Sequence, residues 1–131
     1  MEFVISSIKT STATVSRVHP EIIILRYDEE FDEESIETVK ENLKAIFNLG
    51  RKGTCSCLII PSKSALPDLE GRRMIEQELV HMPYVAVVLN GLAQKILMNF
   101  VARVIGRTKM RIFTDEIEGM NWLLEKIEST S

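Results

Sequence analysis

The chain lacks the features that mark membrane, secreted and nucleic-acid-binding proteins. No stretch approaches ~18 uninterrupted apolar residues, so we expect no integral membrane segment. The opening residues, MEFVISSIKT, have neither the basic start nor the long apolar stretch of a signal peptide. A formal net charge of −3 argues against non-specific binding of nucleic acid, which requires a basic surface.

Cysteine and histidine are scarce, which argues against disulfide frameworks and metal sites. Cys55 and Cys57 are two positions apart and cannot form a normal disulfide framework, which favours a cytoplasmic protein. A zinc site would need a second thiol pair or several histidines, but the only histidines are His19 and His81. We therefore interpret the Cys-X-Cys pair as buried and structural, and expect no bound metal.

The familiar catalytic and cofactor motifs are also absent. The chain contains no G-x-G-x-x-G, Walker loop, H-E-x-x-H, nucleophile elbow or C-x-x-C. None of its serines has an evident base partner. We therefore predict no catalytic residues, no cofactor and no enzymatic activity. An enzyme would need a cleft that gathers Asp68, Glu70, Arg72 or Asn90.

What the chain does have is one strongly apolar unit, residues 84–105, around which the rest is organised. It reads YVAVVLNG followed by LAQKILMNFVARVI, a strand-length apolar run and then an apolar helix. A strand that is apolar on both faces is typical of the middle of a sheet covered on both sides. With 131 residues, we expect one α/β domain over residues 1–131.

Periodicity predicts a mixed sheet of about five strands with four main helices. The predicted strands cover residues 12–18, 22–27, 55–60, the run that begins at Tyr84, and 110–113. The first two form an antiparallel hairpin around Pro20. The first predicted helix runs from Asp32 or Glu33 to about Leu49, and the second covers 69–81. The third runs from the Asn90-Gly91 stop to Gly106. The fourth follows Asp115-x-x-Glu118, which resembles a capping box. Residues 1–9 are either an edge strand or an arm.

Alternation and helical spacing also predict which side chains face the core. In strand 55–60, Cys55, Cys57 and Ile59 face one side and Ser56, Leu58 and Ile60 face the other. The predicted apolar face of the first helix is Ile36, Val39, Leu43, Ile46 and Phe47, and that of the last is Ile117, Met120, Leu123, Leu124 and Ile127.

Two charged segments have both a simple and a functional interpretation. Residues 28–34 hold six acids in seven positions. In the simple interpretation they are solvated and favour the positive N-terminal end of a helix. In the functional interpretation they bind a metal ion, but they lack the spacing of an EF-hand calcium loop. Basic residues cluster near the last strand, where they either are merely solvated or meet an acidic segment of another molecule or an anionic headgroup. These residues are Arg103, Arg107, Lys109 and Arg111.

The third predicted helix is apolar over more than one face. Met98, Val101 and Ile105 extend its core-facing arc by roughly another 100° beyond the usual single stripe. This excess is covered by the chain itself, by a second copy or partner protein, or by an apolar ligand. Trp122, which projects off the stripe of the last helix, either covers the flank of the core or is a contact residue.

The order of elements resembles the STAS domain, the anti-sigma-factor antagonist (SpoIIAA-like) fold, and especially bacterial STAS/SEC14-type proteins of unknown function. The motifs are VAVVLNG-LAQKILMNFVARVIGR, the closing MRIFTDEIEGMNWL and the opening TATVSRVHPEIIILRYDEEF. The resemblance covers essentially the whole chain. It implies right-handed β-α units that wind a mixed sheet, with an antiparallel strand at one edge.

In regulatory STAS proteins, a serine in the turn after the third strand is phosphorylated and switches partner binding. The equivalent turn here falls near residues 67–71, where Asp68 matches the aspartate of that motif. Leu69 or Glu70 occupies the serine position, which argues against the usual switch. Ser62 and Ser64 lie upstream and are candidates for modification. The candidate switch or ligand loop consists of Ser62, Ser64, Asp68, Glu70 and Asn90.

Our leading hypothesis is a non-catalytic regulatory or protein-interaction module that contacts a partner or itself through Met98, Val101, Ile105 and Trp122. The alternative is a small domain that binds a lipid or other apolar ligand in a groove beside the third helix.

Overall fold

The fold is α/β, built on one mixed six-stranded sheet. The computed structural model describes residues 4–28, 35–50, 54–61, 69–89 and 109–130. The strands are β1 Ser6–Lys9, β2 Ala13–His19, β3 Ile22–Tyr27, β4 Ser56–Ile60, β5 Val85–Val88 and β6 Met110–Phe113. The described helices are α1 Ile36–Leu49, α2 Leu69–Leu79 and α3 Glu116–Thr130.

The strands lie side by side in chain order, from β1 to β6. The pairs β1–β2 and β2–β3 are antiparallel, and the pairs from β3 to β6 are parallel. The predicted antiparallel hairpin at the start of the chain is therefore confirmed. Parallel neighbours require a crossover that returns the chain to the same end of the sheet, and α1 and α2 supply the first two.

The described sheet has six strands where about five are predicted, because residues 6–9, expected to be either an edge strand or an arm, form a strand at the edge of the sheet. Lys9 pairs with Thr14, and Ser6 pairs with Arg17. A tight turn closes this pairing, since the Thr10 N–H donates to the Ala13 carbonyl at 2.9 Å. Three of the four predicted helices are present, and the third, after Asn90-Gly91, lies outside the described residues.

The two faces of the sheet are covered by different helices. On one face, which we call the α1/α2 face, a core forms from alternate strand residues and from Ala45, Ile46 and Leu79 of the two helices. On the opposite α3 face, Leu58 and Ala86 pack with Leu123 and Ile127. Cys57 and Leu58 lie on opposite faces, so the predicted alternation of β4 is confirmed. Each large buried apolar side chain contributes about 1.5–3 kcal/mol.

Local chemistry explains where α1 and α3 begin. The Ser35 hydroxyl accepts a hydrogen bond from the Thr38 N–H at 3.3 Å, so α1 begins at Ile36 rather than at Asp32 or Glu33. At the start of α3, Asp115 Oδ1 accepts from the N–H groups of Ile117 at 2.6 Å and Glu118 at 3.4 Å. Asp115 therefore caps α3 as the sequence predicts.

Of the two helix ends at Leu49 and Leu79, the first is where the sequence predicts it and the second is not. Gly50 ends α1 by donating its N–H to the Ile46 carbonyl at 2.7 Å. A Cβ at Gly50 would lie 2.7 Å from that same oxygen, so the close approach requires glycine. The second helix ends at Leu79, two residues before the predicted end at His81, and the chain turns there through Met82.

Two residues predicted to face the core are exposed instead. Phe47 is 47% exposed and Ile117 is 70% exposed. On α3, Gly119 faces the sheet, where a Cβ would lie 3.0 Å from Leu58. Because Ile117 is two positions earlier, it points roughly 200° away from that contact. On α1, the buried face centres on Asn42 and Ile46, which leaves Phe47 at its margin.

Candidate functional site

The parallel strands β3 to β6 all end at one edge of the sheet, which is where sites form in open α/β folds. The candidate loop residues Ser62, Ser64 and Asp68 follow β4, and Asn90 follows β5. All four lie outside the described residues. Glu70 is described, and it is exposed in the first turn of α2.

Of the four candidate interface residues, only Trp122 is described; Met98, Val101 and Ile105 lie outside. Trp122 is partly buried and packs against the α3-face core. Its ring is perpendicular to that of Tyr84, with centroids 5.9 Å apart, and is tilted against Phe113 at 5.7 Å. Trp122 therefore covers the flank of the core, which is the first of its two predicted roles, and its role as a contact residue stays a prediction.

Two ion pairs lie at the carboxyl edge. Arg26, near the end of β3, forms a two-pronged pair with the Glu116 carboxylate in the first turn of α3, with Nη1 to Oε2 at 3.1 Å. Lys9 Nζ lies 2.8 Å from Asp28 Oδ2 and donates to the Thr10 carbonyl at 2.6 Å. All four side chains are at least one-third exposed, so each pair contributes at most about 1 kcal/mol.

A buried polar cluster joins the β1–β2 turn to α1. Asn42 is 1% exposed, and its Nδ2 donates to Thr12 Oγ1 at 2.9 Å. The Thr10 hydroxyl bonds to Asn42 Oδ1 and also contacts the Ala13 backbone. Thr10 and Thr12 are themselves buried, so these bonds satisfy groups that water cannot reach. The cluster holds the turn in place.

An exposed contact supports the same turn. The Ser11 N–H donates to Glu41 Oε1 at 3.0 Å, and this bond, with a smaller contribution from Lys9, lowers the pKa of Glu41. Neither Glu41 nor Asn42 is predicted from the sequence as an anchor of the hairpin. The available signal was a polar residue at position 42, between Val39 and Ile46 on the apolar stripe.

The two cysteines are not joined in a disulfide, and both are buried on the α1/α2 face. Cys55 Sγ lies 3.5 Å from the Pro20 carbonyl. Burial raises the pKa of Cys57 to about 12, so its thiol is protonated and unreactive at neutral pH. This geometry agrees with the structural interpretation of the Cys-X-Cys pair.

A cation-rimmed aromatic cluster lies on the α3 face beside β6. We call it the β6 patch: Tyr84, Lys109, Arg111, Phe113 and Trp122. The Lys109 ammonium lies 5.0 Å from the centroid of the Tyr84 ring, and Arg111 Cζ lies 5.5 Å from that of Phe113. Both cations are exposed, and neither has an ion-pair partner among the described residues. The patch contains two of the four residues in the predicted basic cluster.

Comparison of the chain with protein-family models, with curated proteins and with solved structures finds no match. Within the described ranges, no three His, Cys, Asp or Glu side chains are grouped so that they could hold a metal ion. None of the helices in those ranges is long and apolar enough to cross a membrane.

Proposed function

We propose that this chain is a non-catalytic regulatory or protein-interaction module of the STAS-like type, acting in the cytoplasm. The observation that carries the proposal is the order of its elements. An antiparallel hairpin is followed by parallel strands in unbroken chain order, with α1 and α2 on one face and α3 on the other. A mixed sheet with helices on both sides and an antiparallel strand at one edge is what the resemblance implies, and these shared features support the proposal. Because one fold supports many functions, the contact surface must be tested directly.

The proposed contact is the excess apolar arc of the third predicted helix, which consists of Met98, Val101 and Ile105. An apolar arc that is wider than a single core-facing stripe is typical of helices that bind a protein or a second copy of the chain. The usual phosphorylated serine is replaced in the proposed switch turn by Leu69 or Glu70. We therefore propose that binding does not depend on phosphorylation there, and that Glu70 supplies a permanent charge.

Native mass spectrometry of the untagged protein tests this proposal, since it reports the subunit count and any retained small molecule together. We expect a homodimer without an adduct, and for Val101→Glu a monomer that keeps the far-UV circular dichroism spectrum of the parent chain. Ile117→Glu is the matched control, because Ile117 is 70% exposed on α3. If Val101→Glu leaves both folding and the oligomeric state unchanged, the third helix is not the contact.

The alternative function, binding of a lipid or other apolar ligand beside the third helix, gives a different result in the same experiment. A monomer that carries a discrete adduct would favour it, and the adduct mass would begin to identify the ligand. Organic extraction of the pure protein then provides an independent check. Extracts without lipid would contradict the alternative.

A further inference from the structure

The outer edge of β6 can accept another strand. The carbonyls of Lys109 and Phe113 accept hydrogen bonds from the N–H groups of Val85 and Leu89, both at 2.8 Å. Carbonyl directions alternate along a strand, so those of the intervening Met110 and Ile112 point away from β5. No other strand in the described ranges pairs with this edge. Two residues of β6 therefore present their N–H and C=O groups outward.

The side chains of the same edge select for negative charge. Lys109, Arg111 and Phe113 occupy alternate positions and share the α3 face with Tyr84 and Trp122. Contacts with aromatic rings hold the two cations beside β6, which lowers the entropy lost when a partner binds them. A carboxylate on an adjacent strand could therefore pair with each cation.

We propose that the outer edge of β6 binds an extended acidic segment of a partner protein by strand addition, with carboxylates opposite Lys109 and Arg111. This inference rests on the proposed function as an interaction module, and it names the chemistry of the partner. A second copy of β6 is a poor occupant, because cations would lie opposite cations. Strand addition supplies main-chain bonds, and the alternating carboxylates supply specificity.

The chain provides its own reporter for this binding. Trp122 is the single tryptophan, and it contacts both Tyr84 and Phe113 within the β6 patch. A strand added to β6 changes the surroundings of this cluster, so the emission of Trp122 should respond to it.

The probe is an octapeptide of alternating glutamate and threonine, titrated against the full chain while Trp122 fluorescence is recorded. We expect saturable binding that weakens as NaCl rises from 0.05 to 0.5 M. The Lys109→Glu/Arg111→Glu variant should bind on the order of tenfold more weakly, as expected for the loss of two exposed charge pairs. A glutamine–threonine octapeptide, which keeps the main-chain bonds but lacks the carboxylates, should also bind on the order of tenfold more weakly to the parent chain.

The matched control is Lys40→Glu/Lys44→Glu, which makes the same charge change at two exposed positions of α1. Its affinity should stay within about twofold of the parent chain, because these lysines lie outside the patch. If the patch variant loses thermal stability, Lys109→Gln replaces it, with an expected loss of about threefold. An equal loss in the α1 control would show that only net charge matters and would overturn the proposal.

N-methylation separates strand addition from simple charge attraction. In antiparallel pairing, which is more stable per residue, threonines lie opposite Met110 and Ile112 and carry the N–H groups that bond to β6. Methylating the threonine nitrogens should abolish binding, whereas methylating the glutamate nitrogens should not. The proposal would be overturned if the two methylated peptides lost affinity equally, or if the acidic peptide did not bind at millimolar concentration. It would also be overturned if an oligothymidylate of similar length bound with the same affinity as the acidic peptide. Such a result, with the Val101-dependent dimer intact, would leave the proposed function standing.

Discussion

The two edges of the sheet are held by opposite means. At the β1 edge, buried hydrogen bonds from Asn42 of α1 hold the turn, while Val4 and Ile5 just before the strand are each 51% exposed. At the β6 edge, aromatic packing from Trp122 of α3 supports the strand, and its exposed side chains are cations. The comparison shows that buried polar contacts can anchor an edge strand that packs one apolar side chain, Ile8, against the core.

The largest effect is expected at the β6 edge. Trp122→Ala removes the ring that packs between Tyr84 and Phe113 and should lower the free energy of unfolding by about 2–3 kcal/mol. Urea unfolding followed by circular dichroism measures this loss. Asn121→Ala, at an exposed neighbour on the same helix, is the control and should change little. If Trp122→Ala lowers the free energy of unfolding by no more than Asn121→Ala does, aromatic packing does not anchor β6.

A slightly smaller effect is expected at the β1 edge. Asn42→Ala leaves the buried Thr10 and Thr12 hydroxyls without their amide partner, which should cost about 2 kcal/mol. The control is Asn48→Ala, an exposed asparagine on the same helix. In Asn42→Ala, the amides of β1 should also exchange hydrogen faster than they do in the parent chain, whereas the exchange of the β4 amides should change less. If β1 amides remain as protected as in the parent chain, the turn is held by something other than this cluster.

The smallest effect concerns pH. The folded-state pKa of Glu41 is lowered from its ordinary 4.5 mainly by the hydrogen bond from the Ser11 N–H. A lowered pKa means that the contribution to stability is complete above about pH 4.5 and is lost as the pH falls through the folded value. Glu41→Gln should therefore narrow the difference in melting temperature between pH 6 and pH 3. Glu37→Gln, at another exposed position of α1, serves as the control.

Local signals predicted much of the fold. Asp115 caps α3 because its carboxylate is next to the free N–H groups of the first turn, and Gly50 ends α1 because no Cβ fits beside the Ile46 carbonyl. The opposite orientations of Cys57 and Leu58 follow from the two-residue period of a strand. Each of these features depends on a few neighbouring residues, so the chain alone contains the information.

The candidate site was less accessible to sequence reasoning. The sequence indicates Trp122 as a candidate residue, but not the rings against which it packs. Tyr84 is distant in the sequence, and Phe113 lies in another element. The contact of Lys109 with Tyr84 likewise joins the residue before β6 to the residue before β5. Alternation predicts which face each side chain occupies, but not which rings from other elements meet there.

The sequence by itself determined the α/β class, the antiparallel hairpin, the end of α1 at Leu49 and the start of α3 after Asp115, because these follow from periodicity and from caps within a few residues. Only the tertiary structure decided that residues 6–9 form a sixth strand, since Glu41 and Asn42 of α1 secure the turn after it. The tertiary structure also decided that Ile117 is exposed, because the close approach of Gly119 to Leu58 sets the rotation of α3 on the sheet. Both outcomes depend on contacts between segments far apart in the chain, which no local pattern encodes.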